Sequence, residues 1–315
     1  MSDRTTSIDS SFAAQFTWDY ESTNSNMRRL YEQGKAAQWN ATTDIDWSVD
    51  LSFDALVTRR PGFSAAPLQV GGRKSPVPPE LWDTFNWEYH SWLTSQFLHG
   101  EQGALLATSR LVEVVPDIDS KLYAGAQVAD EARHVEVYAK YLALLGNSYP
   151  VNPALQEMLG DVISESRWDV IYLGMQIIVE GLALAVFRIE HARSFNPVIR
   201  RITELVARDE ARHVAFGVLA LKGMYAELSS RELREREEFV MESALLMARR
   251  FRLEEVWQRL DLDVDAGIAY AAEDPAMADF RRLMFSKIVT CLNQLGLMTD
   301  TIRSHLRQLT LLRPA

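Results

Sequence analysis

The chain of 315 residues has a single cysteine, Cys291, so an internal disulfide is excluded and the residue reads as a buried apolar side chain. No Gly/Ser-rich or Pro-rich linker divides the sequence, which favours one domain over two. Cations are in deficit, with 33 Lys and Arg against 43 Asp and Glu for a formal charge of -10. A nucleic-acid partner is therefore not expected. The first twenty residues are polar and lack a sustained apolar core, so no leader peptide is expected and a cytoplasmic location follows. Only 170–187 approaches a membrane span, and it holds Gln176 and Glu180 near its middle, where an ionisable group is costly in lipid. It reads as a helix buried in a soluble bundle, without a membrane.

What the chain does have is 47% hydrophobic residues and a phrase written twice, Asp130-Glu131-Ala132-Arg133-His134-Val135 and Asp209-Glu210-Ala211-Arg212-His213-Val214. In a helix, a Glu and a His three residues apart share a face, so each copy presents a carboxylate and an imidazole to one point. Thirty residues before Glu131 stands Glu101, and thirty before Glu210 stands Glu180. Both earlier glutamates lie among apolar residues. The unit Glu-x29-Glu-x2-His thus occurs twice, which predicts two similar helical hairpins related by approximate two-fold symmetry. If paired ligands sit at equal depth, each turn falls midway between them, at Pro116 and at Phe195 within Ser194-Phe195-Asn196-Pro197. Proline and asparagine are residues at which helices stop.

The pattern predicts an all-α chain. An N-terminal arm, 1–78, packs on the bundle, with a helix near 24–40 and an irregular, proline-containing stretch after it. Residues 79–228 form a four-helix bundle, with helices near 79–115, 118–145, 168–193 and 196–228. Forty-five residues separate His134 from Glu180, enough for one long crossover between hairpins. Residues 229–315 add helices to the same domain, capped at Ser229 and Ser230 and running near 231–260, 275–297 and 299–312.

Four glutamates facing an apolar interior would be very unfavourable as unpaired anions. Two divalent cations balance them, and the two imidazoles complete the donor set: Glu101, Glu131, His134, Glu180, Glu210 and His213. Metal-bound histidines usually give their second ring proton to a carboxylate. Asp130 is accordingly expected to hold His213, and Asp209 to hold His134, across the two-fold axis, with Arg133 and Arg212 balancing the aspartates. His90 and His99 do not share the face of Glu101 and read as structural, and His191 and His305 as surface residues. A single Asp-Glu-Ala-Arg-His would more often be a charged helix surface; two copies at one offset are hard to obtain that way.

At these residues the sequence resembles the ferritin-like di-iron carboxylate superfamily of oxygenases and oxidases. Gly100-Glu101-x-x-Ala104 followed by two Asp-Glu-x-Arg-His motifs is most similar to the hydroxylase subunits of bacterial multicomponent monooxygenases; acyl-carrier desaturases use similar Asp-Glu-x-Arg-His phrases, and arylamine N-oxygenases do so more loosely. The resemblance implies a ferritin-like bundle and an O2-dependent oxygenase using two iron ions, Mn/Fe being an alternative. Those hydroxylases carry a threonine where this chain has Leu184, which puts that route of proton delivery in doubt. Tyr138, one turn beyond His134, matches the radical tyrosine of ribonucleotide reductase small subunits. A buried tyrosine with an ordinary hydrogen bond is its blander reading.

Residues within about a turn of the ligands predict an apolar substrate pocket of Phe97, Ala104, Leu105, Ile177 and Leu184, with Thr108 and Gln127 as its polar groups. The expected substrate is small and apolar or aromatic, and hydroxylation, N-oxygenation and desaturation stay open. A di-metal oxidase, a radical protein and an iron-storage protein are the alternatives. No flavin, nicotinamide or iron-sulfur motif is evident, so electrons are expected from a separate reductase or ferredoxin. Tryptophans of the first long helix suit the core or a homodimer interface.

Overall fold

Two helical hairpins occupy the centre of the protein. The first joins α2 (Trp82–Val114) to α3 (Ile118–Leu145), and the second joins α6 (Glu180–Arg193) to α7 (Pro197–Leu221). The computed structural model describes residues 7–8, 13–58, 66–68, 75–194 and 196–313, with no strand among them. It is a ferritin-like four-helix bundle with added helices.

The turns fall where the ligand spacing puts them. Asp117 caps α3 by accepting from the Ser120 amide at 2.9 Å. Asn196 caps α7, and Pro197 fills its first position, where a missing N–H costs nothing. Phe195, the second midpoint, lies outside the described residues. α3 stops at Gly146, whose φ of 71° closes the helix in the left-handed region. The crossover then runs through α4 (Pro153–Ser164), capped by Asn152, to α5 (Trp168–Tyr172).

Within α2 the buried hydroxyls of Ser91, Thr94 and Ser95 each donate to the carbonyl four residues back, at 2.7 to 2.9 Å. That lets a helix buried on several sides carry polar residues without orphaning them. The segment Trp168–Ala192 is apolar and long enough to cross a membrane, but 89% of its most apolar window is buried inside the protein.

The third bundle helix departs from the continuous α-helix expected over 168–193. Between α5 and α6, Leu173–Val179 is π-helical, and it ends immediately before Glu180. A wider turn shifts the phase of the residues after it, a device common next to functional sites. α7 makes room for it at Gly217, where a Cβ would lie 2.6 Å from Gln176 Cβ and 3.3 Å from Ile177 Cδ1.

Outside the bundle, α1 (Ser25–Ala36) packs across α3 and α7. Ahead of it the exposed chain lies along the bundle, with the Gln15 amide donating to the Glu113 carbonyl at 2.8 Å. Segments 59–65 and 69–74 of the proline-containing stretch lie outside the described residues. The C-terminal part comprises α8 (Ser230–Arg249), α9 (Glu254–Arg259), α10 (Val264–Glu273), α11 (Pro275–Gln294) and α12 (Asp300–Gln308). A capping box between Ser229 and Glu232 starts α8.

Three further features correct the sequence reading. α7 ends at Leu221 and not Leu228, because Gly223 turns left-handed at φ 83° and a 3-10 turn follows. The single helix expected over 231–260 breaks at the 3-10 turn Arg250–Arg252, with Leu253 at φ 60°. α10 is a helix where the sequence pattern predicts none.

Substituting Gly217 by Val is expected to push the π-helical segment away from α7 and to destabilise the protein by about 1–3 kcal/mol, the usual range for overpacking. Denaturant unfolding of wild type and variant measures it; an unchanged midpoint would mean the contact is slack.

Candidate metal centre

Glu101 comes from α2, Glu131 and His134 from α3, Glu180 from the first position of α6, and Glu210 and His213 from α7. All six are at most 5% exposed. Glu101, Glu131, His134 and Glu210 each bring one donor atom within 4.8 Å of the others, and Glu131, Glu180 and His213 do the same. Glu131 belongs to both groups. Glu210 also reaches both histidines, at 3.3 Å from His134 Nδ1 and 3.5 Å from His213 Nδ1. Two donor groups thus share Glu131, Glu210 reaches both histidines, and Glu101 and Glu180 each belong to one group.

The donor atoms converge but only partly satisfy one another: His134 Nδ1 meets Glu101 Oε2 at 3.1 Å, and others are left over. His213 Nδ1 lies 3.1 Å from Glu131 Oε1 yet makes no hydrogen bond, and Glu131, Glu180 and Glu210 each have an oxygen without a hydrogen-bond partner. Buried polar atoms are rarely left so. Four carboxylates and two imidazoles suit a pair of divalent transition-metal ions, and a ferritin-like bundle is where such sets occur.

The far side of each imidazole is fixed. His134 Nε2 lies 3.2 Å from Asp209 Oδ2, and His213 Nε2 lies 3.3 Å from Asp130 Oδ2, the crossed pairing expected from the repeat. Donation of Nε2–H to these aspartates leaves both Nδ1 atoms facing the centre. Arg133 pairs with Asp130 and lies 3.4 Å from Asp209; Arg212 pairs with Asp209 and lies 3.6 Å from Asp130.

Two residues just beyond the end of α1 join this network, and sequence reasoning missed them. Trp39 Nε1 donates to Asp209 at 2.7 Å, and Gln38 Nε2 donates to Asp130 at 2.9 Å. No spacing rule ties positions 38 and 39 to 130 and 209, so only the docking of α1 reveals them. Gln127, expected as a polar group of the pocket, instead donates to both Glu131 and Glu180 at 2.9 Å. It positions carboxylates.

Burial drives the electrostatics. It pushes the Glu101 carboxyl up to about 8, against the pull of His134, and with Glu210 nearby it holds Glu180 well above the carboxylate range. Glu131 goes the other way, since two histidines outweigh its burial. Burial opposes charge on His134 and His213, but the surrounding carboxylates prevail and raise both well above the usual value. In the metal-free protein, protons do part of the neutralising that two cations would do.

A sequence model of the family described as p-aminobenzoate N-oxygenase AurF matches residues 109–296. The chain belongs to this family. The match includes every proposed ligand except Glu101, whose place rests on the geometry. AurF-family membership lies within the ferritin-like di-metal carboxylate superfamily the sequence resembles. With the buried donor set, it makes the protein an oxidoreductase acting with a di-metal centre. Among solved structures, the chain is similar to variants of an R2-like ligand-binding oxidase, one with an Mn/Fe and one with a non-activated Mn/Mn cofactor. Each is 18% identical and aligned over 90% of this chain and 96% of theirs, with TM-scores of 0.50 and 0.51. At that identity the likeness is one of fold. No curated protein sequence matches the chain.

In this AurF-family protein a cavity reaches Glu101, Glu180 and Glu210 from one side. Its walls include Phe97, Ala104, Leu155, Phe187, Arg250 and Phe251. Phe97 and Ala104 stand where the sequence put them, but Leu105, Thr108, Gln127, Ile177 and Leu184 do not line it. Its α2 lining runs from Leu93 to Ala104, whereas Thr108 and Gln127 lie along α2 and α3 toward the Pro116 turn. Leu105 is only half-buried, and Leu184 turns to a surface groove facing α11. The cavity is narrow, with about 30 Å³ of room for the centres of water-sized molecules. That is about two waters, enough for dioxygen, so an aromatic ring must displace wall side chains.

Tyr138 is fully buried beside Phe97 and Phe187, and its hydroxyl has no hydrogen-bond partner, against the ordinary bond of the blander reading. His90 meets the Tyr141 hydroxyl at 2.8 Å, while His99, His191 and His305 meet backbone carbonyls. His90 and His99 thus have structural roles.

Raised pKa values on Glu101, Glu180, His134 and His213 mean that the folded state holds protons the unfolded chain releases sooner. Their stabilisation is present at low pH and lost as pH rises, for Glu101 between its ordinary 4.5 and about 8. The metal-free protein is therefore expected to lose melting temperature across that interval, and metal loading to flatten the dependence. Calorimetry at several pH values with and without metal checks it; parallel curves would contradict it. Replacing Asp209 by Ala, which frees His134 and Trp39 together, is expected to weaken metal binding by about 10- to 100-fold, read by competition with a chelator.

Proposed function

We propose that the protein is an O2-dependent N-oxygenase of a small aromatic amine, with hydroxylation of a similar apolar substrate as the neighbouring possibility. The observation that carries this reading is the buried set of four glutamates and two histidines at the end of an apolar cavity, in a chain of the N-oxygenase family. The net reaction converts an amine N–H to N–OH with one oxygen atom, and reduces the other to water with two electrons and two protons. The electrons come from a separate reductase or ferredoxin.

Glu101, Glu131, His134, Glu180, Glu210 and His213 would hold the metals, as two iron ions or an Mn/Fe pair. Two such ions supply the activation of dioxygen. The protein's own part is positional. Asp130 and Asp209 lock the imidazoles, Gln127 ties Glu131 to Glu180, and Phe97 and Phe187 keep water from the reacting side. Amine nitrogen would approach past Phe97 and Ala104, since the cavity meets the carboxylates there. We place the protein in the cytoplasm as a homodimer.

Anaerobic loading with iron, followed by oxygen and a reductant with 4-aminobenzoate or aniline, is the test. About two ions per chain and an N-oxygenated product by mass spectrometry are expected, with Glu131→Ala losing both ions and all product. Many irons per chain and no organic product would point to storage instead. Because the Tyr138 hydroxyl is buried and unpartnered, Tyr138→Phe distinguishes a radical protein: an organic radical signal after oxygen exposure, lost in that variant, would favour a radical protein over an oxygenase.

A further inference from the structure

The cavity wall contains a cation that holds no oxygen among the described residues. Arg250 is 6% exposed; among the described residues its guanidinium makes a distant contact from Nη1 to Met247 Sδ, at 3.8 Å, and lies over the Phe251 ring at 5.7 Å from its centroid, and its Nε has no partner. The two other arginines buried to the same degree have oxygen partners. Arg236 makes a two-bond pair with Asp169 at 2.9 and 3.0 Å, and Arg281 donates to the carbonyls of Ala271 and Ala272. Glu255 attracts Arg250 from a distance, but its own oxygens are taken by Trp92 Nε1 and Asn152 Nδ2. Burial lowers the pKa of Arg250 to about 10, which leaves it charged at neutral pH.

Its position is built by the helix break. The 3-10 turn Arg250–Arg252 departs from helical geometry at Phe251, and Leu253 comes next in the left-handed region. A leucine there costs about 1–2 kcal/mol. The turn brings Arg250 and Phe251 into the same wall, in the cavity that ends at Glu101, Glu180 and Glu210. Gln96, another polar wall residue, is already engaged, donating to the Pro150 carbonyl and accepting from the Asn152 amide. Apart from the glutamates, the wall's uncommitted polar group is the guanidinium.

We propose that Arg250 is the anion-binding end of the substrate cavity, and that the substrate carries a carboxylate for Arg250 and an apolar body that lies along Phe97, Leu155 and Phe187. This rests on the reading of the cage as the reacting centre. A planar guanidinium takes a carboxylate through two parallel hydrogen bonds, and gains most where water is excluded. The narrowness of the cavity favours a flat carboxylate over a tetrahedral phosphate. Such a substrate presents its two ends to groups of opposite character, the acid to Arg250 and the reacting atom to the metals, so Arg250 sets orientation as well as affinity.

The test is titration calorimetry on the full chain, loaded with iron under nitrogen so that nothing turns over. The ligand pairs are 4-aminobenzoate with 4-aminobenzamide, and octanoate with octanamide, with inorganic phosphate as a further arm. At least one acid is expected to bind ten-fold or more tightly than its neutral amide, and phosphate weakly. Arg250→Met is expected to abolish the preference while leaving amide binding unchanged, and to raise the melting temperature, since it removes a buried, unpaired charge. Arg250→Lys, which keeps the charge without the fork, should retain part of the preference. Equal binding of acid and amide by the wild type, no binding of either acid, phosphate binding as tightly as the acids, or a preference that survives in Arg250→Met overturns the proposal. If Arg250→Met does not fold, the wild-type pairs and Arg250→Lys still decide. Iron content measured on each sample tests the cage separately: a protein that holds no iron yet prefers the acids would overturn the cage and leave the anion site standing.

Discussion

Burying four carboxylates inside an apolar bundle is the constraint on which the rest of the structure depends. An isolated carboxylate in such surroundings is driven to neutralise, and the cage responds within one shell. Glu101 and Glu180 are pushed toward their protonated forms, while Glu131 stays ionised between two histidines. Cations would replace this mixture of protons and imidazolium by a single balanced arrangement. The surrounding layer is arranged to the same end. Asp130 and Asp209 face the imidazoles, Arg133 and Arg212 face the aspartates, and α1 adds Gln38 and Trp39 from outside the bundle. Charge alternates outward from the centre, so no layer carries a large uncompensated charge.

Residues related by short helical offsets were legible from the sequence, because a helix converts spacing into direction. The repeat located the six clustered side chains, the turns near 116 and 195, and the crossed contacts of Asp130 and Asp209 with the histidines. Offsets within one helix do not say how far that helix is rotated or which neighbour a face meets. That is why Leu184, one turn from Glu180, turns to α11, and why Gln127 bonds two carboxylates and does not face a pocket. Contacts made by the arm and by the 250–253 break had no periodic signal at all. Trp39 meets Asp209 across 170 residues of sequence, and Arg250 reaches the cavity only because a helix fails to continue.

The sequence repeat is nearly symmetric, but the structure it builds is not. Ahead of Glu101 the chain is α-helical, whereas ahead of the equivalent Glu180 it is π-helical. Tyr138 comes one turn after His134, and Gly217 occupies the same offset after His213. The two differences are connected: the absence of a side chain at 217 is what gives the π-helical segment room beside α7. Two hairpins of equal spacing therefore hold their outer glutamates in unlike surroundings. Glu180 is tied to Gln127, and Glu101 meets His134 at 3.1 Å.

This asymmetry separates the two sides of the cage. Beyond the histidines the layer is polar and closed, with two aspartates, two arginines, Gln38 and Trp39 locked to one another under α1. Beyond Glu101 and Glu180 the walls are apolar apart from Gln96 and Arg250, and the cavity lies there. A molecule approaching through the polar side would have to break several charge-assisted hydrogen bonds, each worth roughly 1.5–3 kcal/mol. On the other side it need only displace flexible apolar side chains such as Leu93 and Leu155. The same glutamates that complete the donor set thus form the floor of the cavity, and access to the reacting centre is decided by the packing of α2 and α6.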